Sequence, residues 1–354
     1  MIESPSTIYE AKQESINFSV EDRSLLAPLL KNLITIRVLK FIPDTYSANA
    51  LTLSGAACAA GVAILMWISA TEMRAASTLG AITLCASAFL LLTYAVFDQL
   101  DGMQARRLGT SGHLGDFVDH WVDTAIANLV PVPIMLMLGV EPLFILIMHL
   151  AAAFAFWSAN WETRNLNKRI LPKVGGLESI VIGCVMMVIT AFNGVGIWDI
   201  SFANVKLLSV IYWSCLPWLL LVIFFAVRSG RSSLLDLLGF AITLTPLSIW
   251  LLLDSSQPSQ VGLYSLLGYV SLGLVATIMT GDLMRQYKIK ISYQRIKWVF
   301  FVIGLVLLFV SNYREDANFA TVEKIILIGQ AIIGVGWVVW QGMDTFKQLQ
   351  PETE

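Results

Sequence analysis

Charged residues are scarce in this chain: only 14% of its 354 residues are Asp, Glu, Lys or Arg, where about 25% is usual. Hydrophobic residues make up 56%, above the usual value of about 45–50%. A single hydrophobic core stops growing near about 250–300 residues, so a chain this apolar could not bury all its hydrophobic side chains in water. The composition therefore excludes a soluble globular protein and predicts extensive contact with lipid.

The chain also lacks a strong net charge, since its formal charge is −2. We therefore expect no nucleic-acid partner, because bulk electrostatic attraction to phosphates is missing. The four cysteines, Cys58, Cys85, Cys184 and Cys215, lie in apolar runs and show neither metal-ligand nor redox spacing. We expect them to pack in the interior rather than to form a disulfide framework or a zinc site.

Ten apolar stretches are long enough, or nearly so, to cross about 30 Å of hydrocarbon. They run roughly from 49 to 70, 78 to 97, 121 to 139, 142 to 160, 175 to 193, 207 to 227, 234 to 253, 261 to 281, 297 to 312 and 324 to 342. The predicted fold is therefore an all-α, polytopic integral membrane protein with about ten transmembrane helices.

Residues 1–48 carry charges throughout and contain one amphipathic stretch. Its apolar residues recur at helical spacing and its polar residues lie on the other side: Leu26, Leu29, Leu30, Leu33 and Ile36 against Lys31, Thr35 and Lys40. This pattern is typical of a helix lying in the membrane surface, which we take as the prediction. A short soluble helix packed on the protein body is the alternative.

Basic residues in the connecting segments predict the orientation, because Lys and Arg collect in cytoplasmic loops. With ten spans, 19 of the 23 basic residues fall on one side of the membrane, and the other side holds only Arg74, Lys206, Arg314 and Lys324. An even number of spans places both ends together. Both termini are therefore predicted to be cytoplasmic.

Carboxylates are concentrated between the second and third apolar stretches, at a membrane boundary. A charged group there costs free energy unless it faces a cavity and has a partner. On a helix, Asp98, Asp101, Gly102 and Ala105 share one face at spacings of three and four. The following segment repeats this arrangement in a second face: Gly115, Asp116, Asp119, His120 and Asp123. Two such faces on consecutive helices can close on each other.

A cluster of four carboxylates repels itself unless cations lie within it. Oxygen ligands without cysteine favour Mg²⁺, Mn²⁺ or Ca²⁺ over zinc, and two ions about 3.5–4 Å apart suit phosphoryl or phosphodiester chemistry. The alternative interpretation is that these acids cap helices and pair with Arg106 and Arg107 at the cytoplasmic rim.

The segment from Asp98 to Asp123 resembles the complete signature of the CDP-alcohol phosphotransferases, also called class I CDP-alcohol phosphatidyltransferases. The signature reads Asp, two residues, Asp-Gly, two residues, Ala-Arg, eight residues, Gly, three residues, Asp, three residues, Asp, and every fixed position is matched. The resemblance implies an enzyme in which four aspartates ligate two divalent ions, Mg²⁺ or Mn²⁺. It also implies that an acceptor hydroxyl displaces CMP from a CDP-alcohol.

The family's site residues carry over to the matching positions of this chain. The resemblance implies metal ligands at Asp98, Asp101, Asp119 and Asp123, small residues facing the nucleotide at Gly102 and Ala105, a nucleotide or phosphate contact at Arg106, a close approach of the second helix at Gly115, and a position near the nucleotide for Asn49.

In its length and its ten predicted spans, the chain resembles the choline and ethanolamine phosphotransferases within this family. That branch carries a Glu and a His, four residues apart, proposed to act on the acceptor hydroxyl; here these positions hold Asp116 and His120. A histidine suits proton transfer because its usual pKa lies near operating pH, and Asp123 is the alternative base. Glu178, which also resembles this branch, is expected either in the acceptor pocket or paired with Lys173.

The implied reaction transfers phosphocholine or phosphoethanolamine from CDP-choline or CDP-ethanolamine to diacylglycerol or a related lipid. The alternatives are transfer from CDP-diacylglycerol to a soluble alcohol such as inositol, and a non-catalytic scaffold or a transporter.

We expect the chain to divide into an N-terminal segment (1–48), catalytic helices (49–195), and further transmembrane helices with a short tail (196–354). We expect the endoplasmic reticulum or Golgi in a eukaryote, the inner membrane in a bacterium, and, by resemblance, a homodimer.

Overall fold

The computed structural model describes residues 19–69, 78–138, 140–166, 168–202, 205–229, 234–255, 263–290, 295–313 and 315–349. Eleven α-helices follow an N-terminal helical segment in these ranges: α1 (Ala48–Ser69), α2 (Thr78–Leu108), α3 (His113–Leu129), α4 (Pro131–Met137), α5 (Pro142–Leu166), α6 (Gly176–Asn193), α7 (Leu207–Ser229), α8 (Leu234–Ser255), α9 (Leu263–Lys288), α10 (Arg295–Ser311) and α11 (Ala317–Leu349).

Sheet structure is confined to two short ladders among the described residues. In the first, β1 (Ser19–Asp22) pairs in parallel with β2 (Lys168–Leu171). In the second, β3 (Ser201–Phe202) pairs antiparallel with β4 (Val205–Lys206). The N-terminal helix, as we call the three consecutive helical segments, consists of Ala27–Leu30, Lys31–Thr35 and Ile36–Leu39.

Within the described ranges, eight helical segments are long and apolar enough to cross a bilayer, one of them formed by α3 and α4 together, and the prediction of an all-α, polytopic membrane protein is confirmed. Eight of the ten predicted stretches coincide with these helices. The stretch 297–312 corresponds to the shorter apolar helix Ile296–Ser311. The stretch 207–227 lies within α7, a 23-residue helix whose side chains are only partly described.

The predicted span 121–139 is two helices rather than one. Helix α3 ends at Leu129 and α4 begins at Pro131. A proline has no backbone N–H to donate to the preceding turn and is tolerated at the first position of a helix. Pro131 therefore starts a new helix within the same membrane crossing.

Helix α9 lies at the centre of the packing. Its apolar window, within Ser265–Lys288, is 89% buried, against 28–50% for the other seven candidate spans. It packs against α3, α5, α8 and α11. At Gly273 a Cβ atom would come within 2.5 Å of the Asn128 carbonyl oxygen on α3, so only glycine allows this approach.

The N-terminal helix turns its apolar side chains away from the protein body. Leu29 and Leu33 are 55% and 50% exposed, whereas Thr35 is fully buried. The Thr35 hydroxyl donates to Gln99 Oε1 on α2 at 2.9 Å. The helix thus attaches through its polar side and leaves its leucines uncovered, and its position in the membrane surface stays a prediction.

Glu178 fastens the start of this segment to α6. Its Oε1 accepts hydrogen bonds from the Ser24 hydroxyl at 2.6 Å and from the backbone N–H groups of Leu25 and Leu26 at 2.9 and 3.0 Å. Its Oε2 accepts from the Gly175 N–H at 2.8 Å. These contacts give Glu178 a structural role that neither sequence-based expectation included.

Candidate active site

Helices α2 and α3 bring the four predicted metal acids together at one end of the bundle. Asp98 and Asp101 belong to α2, and Asp119 and Asp123 to α3. The Asp98 carboxyl group interacts with those of Asp119 and Asp123, and Asp101 interacts with Asp123. A turn of only a few residues, with Gly109 at a φ of +67°, reverses the chain between the two helices and lets their acidic faces meet.

Two hydroxyl groups hold the acids in place. The Thr52 hydroxyl on α1 donates to Asp101 Oδ2 at 2.5 Å, and the Tyr94 hydroxyl donates to Asp123 Oδ1 at 2.6 Å. The sequence analysis missed both residues. Helical spacing could have indicated them, because Thr52 follows Asn49 by three residues and Tyr94 precedes Asp98 by four.

The residues predicted to face the nucleotide lie beside the acids in two pairs. A Cβ atom built at Gly102 would lie 3.4 Å from Nη1 of Arg106, and one built at Gly115 would lie 3.6 Å from Oδ1 of Asn49. Each glycine thus leaves room next to a polar side chain. Ala105 follows on α2, one turn after Gly102.

The acids fit a divalent cation. Ligand atoms of Asp119, His120 and Asp123 lie within 4.8 Å of one another. Among the described residues, the buried Oδ1 of Asp119 has no hydrogen-bond partner, and an ion would satisfy such an oxygen. Hard carboxylate oxygens are the ligands preferred by Mg²⁺ and Mn²⁺.

His120 lies between this cluster and Asp116. Its Nε2 is 3.0 Å from Asp116 Oδ1, and its Nδ1 is 3.6 Å from an oxygen of each of Asp119 and Asp123. One ring nitrogen therefore faces the predicted orienting acid and the other faces the predicted metal acids.

Two basic residues, which the sequence analysis did not single out, hold Asp116 from the other side. Arg169 on β2 has its Nη1 3.2 Å from Asp116 Oδ1, and Lys288 at the end of α9 forms an ion pair with Oδ2. They lie 53 and 172 residues from Asp116 in the chain. No local spacing could indicate contacts over such separations.

Comparison with known families agrees with this arrangement. Residues 45–218 match the sequence model of the CDP-alcohol phosphatidyltransferase family, so the chain contains a domain similar to that family. The match includes both helices of the acidic cluster.

Similar proteins include cholinephosphotransferase 1 of Gallus gallus, 28% identical over 198 residues, which cover 55% of this chain and 58% of that protein. Cholinephosphotransferase 1 of Homo sapiens is 28% identical over 188 residues, or 52% and 46% of the two chains. An uncharacterized CDP-alcohol phosphatidyltransferase class-I family protein 2 of Dictyostelium discoideum is 27% identical over 161 residues, or 45% and 38%. The chain thus spans between about two and three fifths of these relatives, and the similarity is consistent with the choline and ethanolamine phosphotransferase branch.

Proposed function

We propose that the protein transfers phosphocholine or phosphoethanolamine from its CDP form to the hydroxyl of diacylglycerol or a related lipid, releasing CMP. The observation that carries this proposal is the position of His120, with Asp116 at Nε2 and the acids Asp119 and Asp123 near Nδ1. This position supports a base role for His120 beside the acids that would hold the metal. The similarity to proteins named cholinephosphotransferase 1 supports the choice of donor.

The four aspartates would hold two Mg²⁺ or Mn²⁺ ions, as the family resemblance implies. When bound, such ions neutralise the diphosphate and stabilise the leaving oxygen. Asp98 and Asp101 would approach them from α2, and Asp119 and Asp123 from α3. The Thr52 and Tyr94 hydroxyls keep two of these carboxylates oriented, which supports a preorganised site.

The donor would bind on the side of the small residues. Gly102 and Ala105 leave room for the nucleotide on α2, and Arg106, whose guanidinium lies over Gly102, supplies a positive charge for a phosphate. Asn49 and Gly115 would line the opposite wall, since the Asn49 amide lies directly against Gly115.

His120 would take the proton of the acceptor. If Nε2–H donates a hydrogen bond to the Asp116 carboxylate, Nδ1 keeps its lone pair and faces the acids, where the reacting groups would meet. As the acceptor oxygen bonds to the phosphorus that bears the choline or ethanolamine, the bond from that phosphorus to the bridging oxygen breaks and CMP leaves with that oxygen. The acceptor proton passes to Nδ1, and general-base assistance of this kind contributes about 10²–10⁴-fold in rate.

The lipid acceptor would reach the site from the bilayer, since the chain is a multi-pass membrane protein. The 19 of 23 basic residues on the predicted cytoplasmic side would place the acids and both termini there. The water-soluble donor would then enter from the cytoplasm.

A CMP-release assay on the purified protein tests the proposal. CDP-choline, CDP-ethanolamine and CDP-diacylglycerol are each combined with diacylglycerol, ceramide and inositol in the presence of Mg²⁺ or Mn²⁺. We expect CMP from CDP-choline or CDP-ethanolamine only when a lipid hydroxyl is present. Release only from CDP-diacylglycerol with inositol would refute the proposed donor and acceptor.

Substitution of the base gives the second test. We expect His120→Ala to lower kcat by about 10²–10⁴-fold with the KM for the CDP-alcohol nearly unchanged. Asp123→Ala should weaken metal and donor binding together, because its carboxylate is a proposed ligand. His149→Gln on α5 serves as the control histidine. Near-normal turnover of His120→Ala would contradict the base role of His120 and indicate Asp123 as the base instead.

A further inference from the structure

The Asp116 carboxylate contacts two cationic side chains in addition to His120. Its Oδ2 contacts Lys288, and its Oδ1 contacts both Arg169 and His120. The Lys288 side chain is fully buried and that of Arg169 is only 12% exposed. Buried charges are retained only when they are paired, so this arrangement indicates a built cluster rather than an incidental surface contact.

The two basic residues reach Asp116 from separate parts of the chain. Lys288 is the last residue of α9 and lies outside the family match at 45–218. Arg169 belongs to β2, where it is in register with Val20 of β1. The N-terminal ladder and the C-terminal helices are thus both connected to the carboxylate that contacts His120.

We propose that Arg169 and Lys288 are positioning residues for the phosphotransfer, which fix the Asp116 carboxylate and through it the imidazole of His120. The inference rests on the base role proposed above for His120. The terminal torsion of an aspartate is broad, so a carboxylate bonded only to His120 could turn away from it. Arg169 at Oδ1 and Lys288 at Oδ2 restrict that rotation and keep Oδ1 directed at Nε2.

This role would also explain why α9, which lies outside the family match, ends at the site. Helix α9 is held against α3 by the close approach at Gly273, and its last residue lies opposite the beginning of α3. Displacement of α9 would remove Lys288 from Asp116. The C-terminal helices would therefore complete the positioning of the base.

A double-mutant cycle separates this role from direct binding of the substrate diphosphate. We expect Lys288→Met to lower kcat by about 10–100-fold, the usual effect of losing an orienting partner, with the KM for the CDP-alcohol changed less than about twofold. Lys288→Arg should restore most of the activity, because it keeps a cation beside Oδ2. In an Asp116→Asn background, Lys288→Met should lower kcat by less than about twofold further.

The cycle also controls for folding. Lys288→Met removes the buried cation and leaves Asp116 paired with Arg169, so the single variant leaves no unpaired carboxylate. If Lys288→Met alone does not fold, comparison of Asp116→Asn with the double variant still decides the question. Lys290→Met, at an exposed position two residues further along the chain, is the matched control and should retain wild-type activity.

Three results would overturn the inference. A normal kcat for Lys288→Met would leave only a structural ion pair, and an increased KM with normal kcat would indicate direct binding of the donor. A loss that persists in the Asp116→Asn background would show that Lys288 does not act through Asp116. If the wild-type protein releases no CMP from any donor, the proposed function itself fails, which is a distinct outcome.

Discussion

Replacing Tyr94 with phenylalanine removes a single hydroxyl group from the edge of the acidic cluster. That hydroxyl donates to Asp123 Oδ1 at 2.6 Å, and the side chain is only 7% exposed. A hydrogen bond to a charged group contributes about 1.5–3 kcal/mol, and about 1.36 kcal/mol corresponds to a factor of ten. The loss therefore corresponds to about 10- to 150-fold in an equilibrium constant.

We expect this loss to appear in metal binding, because Asp123 is a proposed ligand and the hydroxyl orients its carboxylate. Substitution of outer-shell partners typically lowers metal affinity or activity by about 10–100-fold. The concentration of Mg²⁺ or Mn²⁺ needed for half-maximal CMP release should therefore rise by a factor in this range. At saturating metal, turnover should return towards the wild-type rate.

Two further variants make the assay specific. Thr52→Val should act in the same direction, because it removes the 2.5 Å hydrogen bond to Asp101 Oδ2. Tyr269→Phe is the matched control: its side chain is 1% exposed, and its hydroxyl donates to the Pro142 carbonyl oxygen at 2.8 Å. If Tyr94→Phe and Thr52→Val both titrate with metal like the wild type, the reasoning about oriented ligands is refuted.

The remaining predictions concern the metal, the N-terminal segment and the orientation. Excess EDTA or Asp98→Asn should abolish CMP release while the protein stays folded in the membrane, because the diphosphate would meet uncompensated carboxylates; full activity in EDTA would contradict the metal requirement. Glu178→Gln should lower the free energy of unfolding by at least about 1.5–3 kcal/mol, the contribution of one hydrogen bond to a charged group; limited proteolysis should detect release of the N-terminal helix, and unchanged protection would contradict this role. In sealed vesicles, a cysteine at Thr110 should be labelled from the cytoplasmic side and one at Asn312 from the opposite side; the reverse pattern would invert the topology.

The sequence determined the class of fold and the grouping of the acids because both depend on local periodicity. An apolar run of about 20 residues has to form a helix across the hydrocarbon, since no water is present to satisfy its backbone. Helical periodicity likewise places Asp98 and Asp101 on one face of α2, and Asp119 and Asp123 on one face of α3. A short connection then left few ways for the two faces to meet.

Local rules also explain part of what the sequence analysis missed. Pro131 divides the predicted span 121–139 because it cannot continue the hydrogen bonding of α3, and this signal was present in the sequence. Thr52 and Tyr94 likewise follow from the spacing of three and four residues around Asn49 and Asp98. These features follow from local spacing in the sequence alone.

Tertiary structure alone decided the contacts between distant parts of the chain. Glu178 gains its partners because the N-terminal segment lies across the start of α6, and Asp116 gains Arg169 and Lys288 because β2 and α9 end beside α3. A charged residue near a membrane boundary can pair with any opposite charge that packing brings within about 4 Å. Its partner is therefore set by how the helices pack, and helical periodicity does not predict that packing.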